Sequence, residues 1–201
     1  GMGTVYKAHH DQFKKQHFAI KILNRKHHSL ETIENFYQEA QLCALFTPHQ
    51  HTITAFEYGT TEEDVYIACK YIEGENLAYH LEENGPIDLK QAVRFTLQLL
   101  SAERFIYERH YLYRDLKPEN IIIDGNKAYL VDFGLCRQRP YTHHDEQEFV
   151  HGSPYFIPPE RILNHDEDQR SEFYPLAPLL CSIILEKSPH EGGNIDFIAV
   201  Q

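Results

Sequence analysis

Tyr113-Arg114-Asp115-Leu116-Lys117-Pro118-Glu119-Asn120, or YRDLKPEN, runs directly into IIIDGNKAYLVDFG ending at Gly134, and its reading decides the fold. Acids, two fixed cations, a proline and an amide are crowded against the apolar run Ile121-Ile122-Ile123, which packing alone gives no reason to do. Asp124-Gly125-Asn126 between two apolar runs is a hairpin signal. Antiparallel pairing about that turn brings Asn120 to within about a residue of the position opposite Asp132. An amide oxygen and a carboxylate then meet at one end of the hairpin. Both are hard ligands, and a site with so few protein oxygens suits Mg²⁺, which keeps waters and binds nucleotide phosphates. Asp115 and Lys117 stand just before this pair, so a base and a cation face the same spot.

Upstream, the period is mostly that of strands. Thr4 to Ala8 and His17 to Leu23 read as two strands joined by a polar turn around Asp11 and Gln12, with Phe18, Ile20 and Ile22 on one face and Ala19 and Lys21 on the other. A helix follows over Leu30 to Phe46, with Ile33, Phe36, Ala40 and Cys43 at helical spacing and Pro48 beyond its end. Glu39 lies at the edge of that stripe, where it either reaches solvent or takes a cation such as Lys21. Further strands are expected over Thr52 to Tyr58 and Val65 to Tyr71, and a turn at Glu73-Gly74-Glu75. Asp88 then caps a long amphipathic helix marked by Leu89, Val93, Leu97, Leu100 and Ile106. Strands first and helices second imply two lobes with a hinge near Tyr71 to Gly74.

Composition bounds the function. The chain has 201 residues and a net charge of -11, with its Lys and Arg scattered, which argues against a nucleic-acid partner. Cys43, Cys69, Cys136 and Cys181 are far apart inside apolar stretches and are expected to be reduced, buried thiols. The N-terminal residues lack the regions of a signal peptide, and the longest apolar run, Leu176 to Leu185, is too short to span a bilayer. The expectation is a cytoplasmic chain with no membrane insertion by this segment, an anchor on a longer parent chain being left open.

With these motifs in place, the chain resembles a eukaryotic-type, bacterial-like serine/threonine protein kinase catalytic domain, truncated at both ends. The family's H-R-D-L-x-x-x-N and D-F-G read here as Tyr113-Arg114-Asp115-Leu116 to Asn120 and Asp132-Phe133-Gly134. G-M-G-T-V-Y-K-A at the start, A-I-K at Ala19 to Lys21 and a helix bearing Glu39 follow in the family's order. The resemblance implies an α+β, bilobal fold: a small antiparallel sheet lobe with one long helix over 1–72, its first strand missing, and a mainly helical large lobe over 73–201, its last helices missing. It implies ATP and Mg²⁺ as cofactors and a protein substrate. Lys21 would hold phosphates and pair with Glu39. Asn120 and Asp132 would hold the metal, Asp115 would act as base and Lys117 would steady the γ-phosphate. Gly1 and Gly3 would let backbone approach the phosphates. Val5, Ala19 and Ile122 would sandwich adenine, Lys70 and Ile72 would offer it backbone groups, and Cys69 would guard the back of the pocket; plain core packing explains the same apolar positions. Arg114 would clamp a phosphate added to the activation segment, residues 132–160, where Thr142 is the candidate phosphosite and Ser153 sits beside the substrate loop. His9-His10, His27-His28 and His143-His144 read as solvated loop histidines.

The sequence also departs from the family. Tyr113 stands for His, and Pro158-Pro159-Glu160 for A-P-E. Glu172 to Pro178 carries two prolines where the family has an Asp, a Gly and a long buried helix, so that helix is expected to start late, near Pro178, or to be deformed. Glu160 is expected to lack its partner arginine. Two functions therefore stand: a Mg-ATP-dependent protein kinase, or a catalytically impaired, pseudokinase-like nucleotide-binding module with a regulatory or scaffold role. A small-molecule kinase of related fold ranks below both.

Overall fold

In the computed structural model, residues 3–11, 16–139, 154–163 and 165–185 are described. Strands β1 (Thr4–His9) and β2 (His17–Asn24) pair antiparallel, and helix α1 (Leu30–Phe46) follows. Ser29 starts α1 by accepting from the Thr32 N–H, and Thr47 ends it by donating its hydroxyl to the Cys43 carbonyl at 2.8 Å. Strands β3 (Ala55–Thr60) and β4 (Asp64–Lys70) complete an antiparallel sheet of order β1-β2-β4-β3. β3 begins later than the expected Thr52. Ile53 N–H donates instead to Leu130 O at 2.9 Å, so the chain before β3 is tied to the second half of the molecule.

The core face of this sheet is the one that carries Lys21, not the one with Phe18, Ile20 and Ile22. Leu23, Val65 and Ile67 are buried on the Lys21 side, whereas the three apolar residues of the other face are only half-buried. Alternation gives the two faces of a strand but not which of them α1 covers.

The second half is mainly helical: β5 (Glu75–Asn76), α2 (Leu77–Asn84), α3 (Leu89–Glu108), β6 (Tyr111–Leu112), β7 (Ile121–Asp124), β8 (Lys127–Leu130), β9 (Arg137–Gln138), α4 (Pro159–Ile162), α5 (Gln169–Phe173) and α6 (Leu176–Leu185). Helix α2 is absent from the sequence reading, although Asn76 at its N-cap and Gly85 at its C-cap mark both ends. The face of α3 is corrected. Ala92, Phe95, Leu99, Ala102, Glu103 and Ile106 are buried, while Leu89, Val93 and Leu97 are exposed. The hairpin β7–β8 forms as read, with Ile121 opposite Leu130 and the turn made by Gly125 at φ 54°. Beyond the ladder Val131 N–H donates to Asn120 O at 3.1 Å, so Asp132 is one residue past the position facing Asn120.

As expected, the helix of the proline-rich stretch starts late, close to Pro178. α6 begins at Leu176, directly after Pro175, and Pro178 sits in the first turn, where a helical N–H has no intrahelical acceptor in any case. The single long helix implied by the resemblance is instead divided into α5 and α6. Ile87 N–H donates to Ile183 O at 2.8 Å, docking α6 beside the start of α3. The four cysteines are free thiols; Cys43, Cys69 and Cys136 are buried as expected, while Cys181 is only half-buried.

Candidate phosphoryl-transfer site

Lys21 lies in mid-strand, facing α1 across the sheet, and Glu39 is on the buried face of α1 between Phe36 and Ala40. Lys21 Nζ donates to both carboxylate oxygens of Glu39, at 2.5 and 2.7 Å, with side-chain exposures of 16% and 2%. Of the two settings left open for Glu39, the ion pair is the one formed. Burial alone would lower the Lys21 ammonium, but Glu39 and then Asp132 hold it above its ordinary value. Burial pushes the Glu39 carboxyl up, against the pull of Lys21. A raised ammonium and a raised carboxyl still leave the pair charged between them. Asp132 Oδ2 is 3.7 Å from Lys21 Nζ, bringing sheet and hairpin to one point.

Asp115 is held by the residues that follow it. Lys117 Nζ donates to its two oxygens at 2.8 and 2.9 Å, and the Asn120 amide donates to its carbonyl at 2.9 Å and to Oδ2 at 2.6 Å. The 3₁₀ turn Pro118–Asn120 gives Lys117 and Asn120 that reach. With its nitrogen used on Asp115, Asn120 has its carbonyl oxygen for a cation. Asp132 accepts from Gly134 N–H through Oδ1 at 2.9 Å and is 35% exposed. One carboxylate and one amide oxygen at the base of the hairpin fit a hard, partly hydrated cation such as Mg²⁺.

The backbone beneath Asp115 is fixed from far along the chain. Glu172 accepts from Tyr113 N–H at 2.6 Å and from Arg114 N–H at 3.2 Å. Arg114 itself has φ 68°, a left-handed conformation that costs free energy in a side-chain-bearing residue unless its surroundings fix it. Phe133 is buried between Tyr113, at 5.9 Å, and Phe46, at 5.1 Å, and so ties the neighbours of Asp115 and Asp132 to α1. Burial, against a smaller pull from the two N–H donors, raises the Glu172 carboxyl to about 7.

The sheet places Val5, Ala19, Lys21 and Cys69 on one face, through the pairs Val5–Lys21 and Ala19–Cys69. Cys69 is buried, Ala19 and Ile122 are half-buried and Val5 is 61% exposed. Lys70 and the half-buried Ile72 lie where the chain leaves the sheet. Lys70 N–H donates to Thr54 O at 2.8 Å, so a ligand there would use its carbonyl. Gly3 has a reason besides phosphate access: a Cβ on it would stand 2.6 Å from Ile22 O, too close for any other residue. Gly1, Thr142 and Ser153, together with His143 and His144, lie outside the described residues.

Where the family sets an arginine, Glu160 accepts a hydrogen bond from the Ser171 hydroxyl. The sequence reading missed Glu172, Glu167 and Arg161 as supports of the Asp115 loop. No local signal ties them to that loop: Glu172 meets Tyr113 from 59 residues away, Glu167 meets Arg114 from 53 and Arg161 meets it from 47.

An α+β fold that sets a lysine–glutamate pair of a small sheet against an Asp-Lys-Asn loop and a hairpin aspartate has the architecture of a protein kinase. The chain belongs to that family: the family model for the protein kinase domain matches residues 1–199. It is 30% identical over 204 residues to the serine/threonine-protein kinase PrkC of Bacillus subtilis, covering 100% of this chain and 31% of that protein. It is 24% identical over 203 residues to the probable serine/threonine-protein kinase PknB of Lactococcus lactis, covering 100% of this chain and 32% of that one. The probable serine/threonine-protein kinase KIN1 homolog of Enterocytozoon bieneusi is 31% identical over 182 residues, covering 90% of this chain and 30% of the relative. The chain thus spans about a third of the length of these curated relatives.

Proposed function

We propose that this chain is a catalytic domain that transfers the γ-phosphate of ATP to a serine or threonine hydroxyl of a protein. Residues 1–72 form its ATP-binding lobe and 73–201 its catalytic lobe. The observation that carries this reading is that Lys21–Glu39, Asp115–Lys117–Asn120 and Asp132 stand assembled, with Lys21 3.7 Å from Asp132.

In this mechanism Asp115 orients the substrate hydroxyl and takes its proton as the oxygen–phosphorus bond forms and the bond to the ADP oxygen breaks. Lys117, already on Asp115, places a positive charge beside the transferring group. Lys21, oriented by Glu39, holds the α- and β-phosphates. Asn120 and Asp132 would hold Mg²⁺, which supplies charge neutralisation on the phosphates. Val5, Ala19 and Ile122 would enclose adenine, Cys69 behind it, with Lys70 and Ile72 offering backbone groups. Gly1 and Gly3 would cover the phosphates, and Thr142 and Ser153 belong to the segment that receives regulation and substrate. We place the domain in the cytoplasm, in keeping with four unpaired cysteines; among the described residues no helix is long and apolar enough to cross a membrane.

The second reading, a nucleotide-binding module without transfer, draws on the division of one long helix into α5 and α6. Transfer itself separates the two. Labelled γ-phosphate is followed from Mg-ATP to the protein and to a generic serine/threonine substrate, with Asp115→Asn beside it. Label that falls by about tenfold or more in the variant supports the kinase. A folded wild type that transfers none leaves the binding module.

A further inference from the structure

Arg114, the residue before Asp115, is held through its backbone N–H, its carbonyl and its guanidinium. Its N–H donates to Glu172, as described above. Its carbonyl accepts from Arg161 Nη1 at 2.6 Å. Its guanidinium meets Glu167 Oε1 through Nε at 3.0 Å and through Nη2 at 2.9 Å. Arg161 closes the ring by donating Nε and Nη2 to Glu167 Oε2 at 2.9 and 2.6 Å. The ring therefore runs from the Arg114 side chain through Glu167 and Arg161 back to the Arg114 backbone. Side-chain exposures of 4%, 6% and 0% for Arg114, Arg161 and Glu167 keep it out of water.

A buried carboxylate is stable only when its charge is answered, and here it faces two guanidinium groups. Although burial pushes the Glu167 carboxyl up, Arg161 and then Arg114 hold it below the usual range. The resemblance to kinases leaves Arg114 to a phosphate added to the activation segment; a carboxylate of the chain's own already lies on it.

We infer that Glu167 is a positioning residue for Asp115: by bridging Arg114 and Arg161 it fixes the left-handed turn before the base, and does so without an added phosphate. The inference rests on the proposed kinase reading for its catalytic consequence, but not for its structural one.

The test uses the full chain, treated with phosphatase until its intact mass shows no phosphate. The expected results are a wild type whose kcat changes by no more than about twofold on dephosphorylation, and a Glu167→Gln variant with kcat lower by about tenfold or more while KM for ATP stays within about twofold. Glu167→Asp, which keeps the charge on a shorter arm, should recover part of that loss. Hydrogen exchange of the amides of residues 113–116 should quicken about tenfold or more in Glu167→Gln, with β4 and α1 unchanged. Should Glu167→Gln be too unstable to assay, Glu167→Asp alone must show a smaller kcat loss and faster exchange at 113–116. A wild type that loses its kcat with its phosphate, or a variant with unchanged kcat and exchange, overturns the inference. If a folded wild type transfers no phosphate at all, the kinase reading falls and exchange at 113–116 alone decides the positioning role.

Discussion

Glu103 lies on the core face of α3 at 2% exposure, and neither of its carboxyl oxygens has a hydrogen-bond partner among the described residues. Burial first, and Glu172 second, push its carboxyl well above the usual range. It contrasts with Glu39 and Glu167, which are equally buried but answered by cations. A carboxyl whose folded value is raised favours folding at pH below its unfolded value, and that contribution is lost as pH climbs through the folded value. Replacing it by an apolar group of similar size should therefore remove a cost that grows with pH. Glu103→Leu is expected to stabilise the chain by roughly 1–3 kcal/mol at pH 8 and by less at pH 6. Thermal unfolding at the two pH values checks this; a variant with a lower Tm at pH 8 would sink it. The Tyr113 hydroxyl is also buried without a partner among the described residues, so a histidine's place is taken here by a ring whose polar tip contributes no bond.

At the scale of elements, α3 is the brace of the hairpin. Gln98 receives Ala128 N–H on Oε1 at 2.8 Å and donates Nε2 to Asn126 O at 3.0 Å, while Gln91 donates to Gly125 O at 3.0 Å. These contacts set the tilt of β7–β8, whose base carries Asn120 and Asp132. Gln98→Ala leaves the Ala128 N–H without its acceptor and should cost about 1–3 kcal/mol. Hydrogen exchange at Ala128 should quicken with the fall in Tm; if neither changes, the brace carries no weight. Elements with their own punctuation were legible in the sequence: α1 by the spacing of Ile33, Phe36, Ala40 and Cys43 and by Pro48, and the hairpin by Asp124-Gly125-Asn126, which already put Asn120 near Asp132. What was lost depended on distant partners. α3 has apolar residues on two faces, and the stripe of Leu89, Val93 and Leu97 faces away from the core that Phe95 and Leu99 enter. Thr52 and Ile53 read as part of a strand because their ties to Leu130 cross the whole chain. In the same way, no local pattern joins Glu172 to the loop of Asp115.

For the whole molecule, the buried acids set stability and activity against each other. Glu39, Glu103 and Glu172 are all raised, Glu172 to about 7, whereas Glu167 is lowered. For the raised group at Glu172 the stabilising proton is fully present below the ordinary carboxyl value of about 4.5 and is lost as pH rises through about 7. The lowered Glu167 works the other way, its contribution being present above about 4.5 and lost only on acidification below that range. A net charge of -11 adds self-repulsion to the folded chain. Together these place maximum stability above the acid range in which Glu167 takes up its proton and below about 7, where Glu172 loses its own. Yet the ionised Glu172 is the better acceptor for the Tyr113 and Arg114 N–H groups, so the loop of Asp115 is best pinned where the fold is less stable. Tm is therefore expected to fall from pH 6 to pH 8.5, by an amount worth a few kcal/mol at most. Over the same interval kcat should rise. Glu103→Leu should flatten the fall in Tm and, by removing a carboxyl that repels Glu172, move the rise in kcat to lower pH without touching the bonds that Glu172 makes. A Tm that climbs steadily from pH 6 to pH 8.5 would mean that these buried carboxyls do not govern the stability of the chain.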